Sequence, residues 1–298
     1  MVSKLHKPRK WLAAAACLSA AFPVFADTET VGDYTWTYHI ENGGAVIYKG
    51  YEQNAISPSP SGHMDIPATL GGCPVVRIGN WALEWCVDLT SVSIPQSIEV
   101  IGHKAFSQCS MLGTVVFEGS EDNIYIDPTA FDGTPYSATV PFKLIVKDGV
   151  LVQFRGSCPA TIEIPEGTTA IADEVFYCSS HPTVENLKQV HFNDELKNIG
   201  SMAFYNCPYL GSIEIPASVT NIGYSAFAAC YSVTNIVLNE GLISVQEGAF
   251  GGGTTSEITL PRTVRSISRE AFLGTDGTVT VHAHDSLYGI LESGDVYQ

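Results

Sequence analysis

Apolar and polar residues alternate in short bursts along the chain, and the bursts recur. Leu89–Ile94, Leu210–Ile215 and Val233–Leu238 share the form L-x-x-I-x-I or a close variant, which puts every second side chain on one side of a β-strand. Each burst is followed by a Pro or acidic turn, then an Ile-Gly or its equivalent, then an Ala-Phe pair, often with a Cys shortly after the Phe. The pairs are Ala105-Phe106, Ala203-Phe204, Ala226-Phe227, Ala249-Phe250 and Ala271-Phe272. From Phe204 through Phe227 and Phe250 to Phe272 the step is almost constant. A unit that short, with one apolar side, has no core of its own, so the pattern predicts one coil of a solenoid stacked on its neighbours.

The Phe position is held by Leu83, Phe106, Phe131, Phe176, Phe204, Phe227, Phe250 and Phe272. Only the step from Phe131 to Phe176 breaks the rhythm, at nearly twice the usual length. It contains Phe142–Val146 and Val150–Phe154 around Lys147-Asp148-Gly149, which predicts an inserted β-hairpin within 136–156. Ahead of the first coil, residues 27–60 carry a second hairpin signal, Asp33–Ile40 and Ala45–Tyr51 around a Gly-containing turn. Ser57-Pro58-Ser59-Pro60 then marks a short linker. Such a hairpin would cap the open end of the first coil, whose strand edge and apolar side chains would otherwise face water. Coils occupy 61–284, and 285–298 form a tail. The repeated Ile-Gly at 101–102, 199–200 and 222–223 suggests a residue tolerant of positive φ where each coil turns a corner.

Phase decides which side chains are free. With Ile213 and Ile215 inward, Ser212 and Glu214 face out, and the same parity exposes Gln189, His191, Asn235, Val237, Glu257 and Thr259. That open sheet face is polar and nearly free of aromatic residues, and it is one candidate binding surface. The inserted hairpin is the other, through Tyr136, Phe142, Phe154 and Arg155, whose alternative reading is an aromatic cluster packed beneath the hairpin. Repeat Phe residues and most cysteines fall on the inward phase, where a thiol acts as a small apolar group. Cys73 and Cys86 flank the first coil and are the best-placed disulfide candidates.

The first residues, MVSKLHKPRK followed by Trp11–Phe25, combine a basic stretch with an apolar run too short to span a bilayer. This is the pattern of an export signal cleaved after Ala26, leaving a secreted or cell-surface chain. Removing 1–26 deletes four basic residues and no acids, which moves the net charge from −16 to −20. Such a surface repels phosphate backbones, so nucleic acid is excluded as a partner. No cofactor is expected: CxxC pairs, EF-hand spacing and the Walker lysine are all missing.

The repeats SIPQSIEVIGHKAFSQC and EIPASVTNIGYSAFAAC, with the restart IEIPEGTTAIADEVF after DGVLVQFRG, resemble the BspA-type leucine-rich repeat family of bacterial surface proteins across about residues 61–281. The resemblance implies an α+β or β-rich solenoid, a leucine-rich repeat array of stacked parallel strands with an N-terminal hairpin cap and an inserted hairpin. It also implies a secreted or surface protein, in some cases an adhesin, engaging a protein or glycan on host or neighbouring cells, with no catalytic motif to transfer. A structural or assembly role with no dedicated ligand is the alternative. A metal-dependent enzyme is a further one, resting on His282 and His284, which share a strand face and would need a third ligand.

Overall fold

The computed structural model describes residues 26–50, 55–178, 182–253, 257–268, 270–272 and 280–282. Residues 1–25 of the proposed leader, His284 and the whole C-terminal tail lie outside them. The chain builds coils with three backbone ladders each. The longer strands, such as Ser212–Ile215 paired in parallel with Asn235–Leu238, make the open sheet face. Two-residue strands such as Asn198–Ile199, Asn221–Ile222 and Ser244–Val245 make a second parallel ladder at the other end of the Pro turn. The Ala-Phe turns make the third: the N–H groups of Met202, Phe204 and Asn206 donate to the carbonyls of Tyr224, Ala226 and Ala228, each at 2.8 Å. Every coil thus satisfies its backbone through the next one, which is why the unit is stable only in a stack.

The inward phase is as the periodicity predicts. Ser212–Ile215 and Asn235–Leu238 both alternate exposed and buried residues. Ala105, Ala203, Ala226, Ala249 and Ala271 are fully buried, and Phe176, Phe204, Phe227, Phe250 and Phe272 lie within the interior. Their rings stack at 4.9 Å from Phe176 to Phe204, 5.1 Å to Phe227, 5.5 Å to Phe250 and 5.7 Å to Phe272, with planes within 11° of parallel. All seven described cysteines are free thiols, so Cys73 and Cys86 form no bridge. Cys73 pairs with Leu70 across a small hairpin, while the Cys86 thiol lies against that of Cys109 in the next coil.

The Ile-Gly glycines do not take positive φ. Their reason is space. A Cβ on Gly223 would lie 2.7 Å from the Gly200 carbonyl carbon, and one on Gly200 would lie 2.6 Å from that of Ala172. The backbones of successive coils touch there, and only hydrogen fits. The left-handed residues stand instead two positions before and two after the Phe, in columns that include Lys104, Met202 and Ser225, and Gln108, Asn206 and Ala229.

The hairpins are both present, and they are architectural equivalents. Tyr34–Glu41 and Gly44–Ile47 pair antiparallel around Asn42-Gly43, and Lys143–Lys147 and Val150–Arg155 around Asp148-Gly149. Both turn residues have positive φ in each case, as a two-residue primed turn demands. The second strand of each hairpin then opens a parallel ladder, Gly44–Ile47 on Cys73–Ile78 and Val150–Arg155 on Ala170–Ile171. The first hairpin gains a third strand, Asp27–Val31, and the linker begins with Ile56–Ser57 paired to Thr35–Trp36. The inserted hairpin therefore starts a second array inside the chain. Consistent with that, buried apolar residues divide into two clusters, one from Trp36 to Phe131 and one from Leu151 to Phe272.

Candidate functional site

On the open face the longer strands align side chains in two columns. One runs Thr161, Gln189, and then Ser212 beside Asn235; the other runs Glu163, His191, and then Glu214 beside Val237. Gln189, His191, Ser212, Glu214, Asn235, Val237 and Thr259 are all exposed. Glu257 and His282 belong to paired strands, Glu257–Thr259 with Thr280–His282, but their side chains are not among those described. His191 Nε2 lies 3.8 Å from Glu163. His191, Glu214, Asp194 and Asn239 border a shallow recess of about 250 Å³ floored by Val190, Phe192, Pro216 and Ala217. A recess below about 300 Å³ holds a single side chain or sugar ring rather than a whole small ligand. No group of three metal-ligating side chains occurs among the described residues.

The first array carries the best-connected polar group on this face. His63 Nδ1 lies 2.8 Å from Ser91 Oγ, and its Nε2 lies 3.0 Å from Asp65 Oδ1 and 3.3 Å from Ser93 Oγ. Hydrogen bonds from Ser93 and then His63 hold the Asp65 carboxyl below its usual range. The order Ser, His, Asp invites a hydrolytic reading, but the geometry lacks a part. The backbone around Ser91 is committed to ladders with residues 62–65 and 114–117, leaving no local N–H pair to hold an oxyanion.

The four hairpin residues named as a candidate contact surface are drawn largely into the interior. Phe154 and Arg155 are 4% and 8% exposed, and Phe142 and Tyr136 are half-buried. Phe154 is a rung of the ring ladder, stacked 5.3 Å from Phe176 with Phe142 at 5.9 Å. Tyr136 closes the first array against Phe131 at 5.0 Å. Arg155 donates through Nη2 to the carbonyls of Glu121 and Ile124. Gln153, which no sequence pattern singles out, acts with it: its Nε2 donates to the Ile124 carbonyl at 3.1 Å and its Oε1 accepts from the Ile126 N–H at 3.3 Å. One side-chain amide thus stands in for the peptide that a further coil would have supplied. Phe154 does carry a sequence signal, since it lies midway between Phe131 and Phe176, one coil's length from each.

Most of the buried thiols are raised above the ordinary thiol range, whereas the Cys109 thiol lowers its neighbour Cys86. Burial pushes Cys158 up to about 12, and burial with nearby Glu185 raises Cys178. The Cys230 thiol, and then burial, raises Cys207. Cys230 and Cys109 donate to the carbonyls of Phe204 and Leu83 in the preceding coil, at 3.2 and 3.1 Å.

A family profile described as the BspA type leucine rich repeat region matches six copies over residues 69–148 and 152–279, most of the chain. The protein belongs to the BspA-type leucine-rich repeat family. The two matched segments part inside the inserted hairpin, where the second array begins. A search of curated proteins returns no match. Among solved structures, a leucine rich cell surface protein from Faecalibacterium prausnitzii aligns over 91% of this chain and 98% of its own, at 19% identity and a TM-score of 0.47. A leucine-rich repeat protein from Bacteroides ovatus aligns over 81% and 59%, at 22% identity and a TM-score of 0.43. The pneumococcal vaccine antigen PcpA aligns over 87% and 99%, at 14% identity and a TM-score of 0.42. Among the described residues, no helix of this BspA-type protein is long and apolar enough to cross a membrane.

Proposed function

We propose that this BspA-type chain is an exported, non-catalytic binding protein of the bacterial surface or its surroundings, adhesin-like in role. It engages a protein or glycan on host or neighbouring cells through the open sheet face of its second array. The observation that carries this reading is the pair of exposed columns through Gln189, Ser212 and Asn235 and through His191, Glu214 and Val237, flanked by a recess sized for one side chain or sugar. Stacked strands spaced about 4.8 Å apart turn such columns into a surface long enough for a macromolecule. The export pattern at residues 1–26 supports the location, and the surplus of acids favours partners that are neutral or basic.

Fluorescently labelled protein beginning at Asp27, applied to host matrix proteins and to co-resident bacteria, tests the reading. Binding is expected, and replacing His191 with Ala together with Glu214 with Lys is expected to abolish it while the circular dichroism spectrum stays unchanged. Binding that survives both substitutions would show that the sheet face is not the contact surface.

A further inference from the structure

The exposed large apolar side chains of the coils concentrate on the turn side, away from the polar sheet. Trp81, Trp85, Val87 and Met111 are 44%, 61%, 41% and 55% exposed and occupy two adjacent coils at the start of the first array. Both tryptophans have positive φ, at 55° and 63°. The equivalent positions of other coils hold Lys104, Glu174, Met202, Ser225 and Gly248 in one column, and Gln108, Gly133, Asn206, Ala229 and Gly252 in the other. A bulky ring is a poor choice for a left-handed backbone, and Trp85 leaves most of its surface in water. Backbone preference therefore disfavours both tryptophans, and Trp85 gains least burial in exchange.

The ring of Trp81 is nonetheless held in place. His103 meets it edge to face at 5.3 Å, and His103 Nδ1 is itself fixed 2.8 Å from Thr129 Oγ1 and 3.4 Å from Asp127 Oδ1. An exposed aromatic held by a hydrogen-bonded neighbour is arranged before any partner arrives, which lowers the entropy lost on binding. Trp, Tyr and Met are enriched at protein contact surfaces, and Met111 and Val87 extend the patch in a way that sugar stacking does not use. Glu84 and Asp88 flank the tryptophans along the chain, within a protein of net charge −16. Tryptophans with acids beside them in the chain suit a cation, above all a guanidinium, which can stack on an indole and pair with a carboxylate.

We propose that Trp81 and Trp85, with Val87 and Met111, form a docking surface for an arginine-bearing polypeptide segment of a protein partner. This rests on the reading of the chain as a binding protein but uses a different surface from the sheet face. The test therefore uses purified probes rather than cells. A short peptide of alternating Arg and Gly, its Lys and Glu counterparts, and a neutral glucose hexasaccharide are titrated against protein beginning at Asp27, with tryptophan emission as the readout. Only Trp36, Trp81 and Trp85 remain in that chain, and Trp36 is buried, so emission changes report the patch. The Arg peptide is expected to bind most tightly, and Trp85→Asn to weaken it by about tenfold or more. Tyr231→Ala, an exposed aromatic in the second array, is expected to change affinity less than about twofold. Trp85→Asn is also expected to leave the urea midpoint unchanged or raised, because asparagine suits the left-handed backbone. Arg-peptide affinity unchanged in Trp85→Asn, or equal binding by the Glu peptide or the hexasaccharide, would overturn the proposal. A failure of the sheet-face substitutions on cells would leave this result standing, and the converse holds too.

Discussion

Replacing Gln153 with Ala should loosen the joint between the two arrays rather than simply weaken the fold. Gln153 is 5% exposed and sits where the short-strand ladder of the first array ends, at Tyr125–Ile126. Its amide takes the Ile126 N–H and the Ile124 carbonyl, the two groups that a further strand would have paired. Arg155 still donates to the Ile124 carbonyl at 2.8 Å after the substitution, so the uncompensated loss is chiefly the Ile126 N–H. Leaving a buried donor unmade costs about 1–3 kcal/mol, and since the Ile126 N–H is only part-buried, about 1 kcal/mol is expected here. Because the apolar interior is divided at this point, the loss falls on the coupling between halves. Urea unfolding followed by two probes separates the halves: Trp36, Trp81 and Trp85 all belong to the first array, whereas far-ultraviolet circular dichroism reports both. The curves should coincide in the parent and separate in Gln153→Ala. A loss below about 0.5 kcal/mol, no larger than that of the exposed control Gln189→Ala, would refute the role given to the amide.

Three further outcomes follow from the same geometry. Gly223→Ala should cost about 1–3 kcal/mol because its Cβ would strike the Gly200 backbone at 2.7 Å, whereas Gly211→Ala, whose nearest neighbour is 3.8 Å away, should be neutral or slightly stabilising; equal urea midpoints would contradict the close-approach explanation. Phe204→Ala should cost about 3–5 kcal/mol, since the ring is fully buried between Phe176 and Phe227, while Tyr231→Ala, 58% exposed, should stay within about 0.5 kcal/mol, as thermal melts would show. Burial, outweighing the pull of Lys104, raises the Asp132 carboxyl above its usual value, so its ionised form is disfavoured in the folded state. Stability is then lost as pH rises from the unfolded pKa through the folded one, and Asp132→Asn should be more stable than the parent at neutral pH with an advantage that vanishes in acid.

Most of the array is legible in the sequence because its information is local and repeated. A short, nearly constant period with an inward Ile-x-Ile and a buried Ala-Phe fixes the coil, the ladder and the open face from strand parity alone. What cannot be read is decided between coils. The Ile-Gly glycines look in sequence like turn glycines, but they answer a contact between backbones one full coil apart, which no local propensity encodes. Conversely, the true left-handed positions are filled by Trp, Lys, Gln and Met, because the turn-side ladder stabilises a backbone these residues would not choose alone. Composition points the hairpin aromatics outward, while their spacing to Phe131 and Phe176 puts Phe154 on the ladder. Spacing is the stronger signal, since stacking demands equivalent positions and composition does not.

The restart inside the chain follows from what a solenoid edge requires. Each two-residue strand offers its next neighbour a fixed set of donors and acceptors, so an array ends well only against something that meets them. The first hairpin does this at the beginning, with Gly44–Ile47 laid parallel on Cys73–Ile78 and all four of its residues buried. At the centre the second hairpin does the same for the array that follows, through Val150 and Leu151 on Ala170 and Ile171. Its own first strand is antiparallel and, among the described residues, leaves the preceding edge at Ile126 without a strand partner. Gln153 and Arg155 meet that edge with side chains, and the Lys143–Asp122 ion pair at 2.7 Å spans it from outside. A polar seam fixes direction and register through few specific bonds, where an apolar one would tolerate sliding. Side chains of the second hairpin, rather than a strand, thus close the edge of the first array where the second begins.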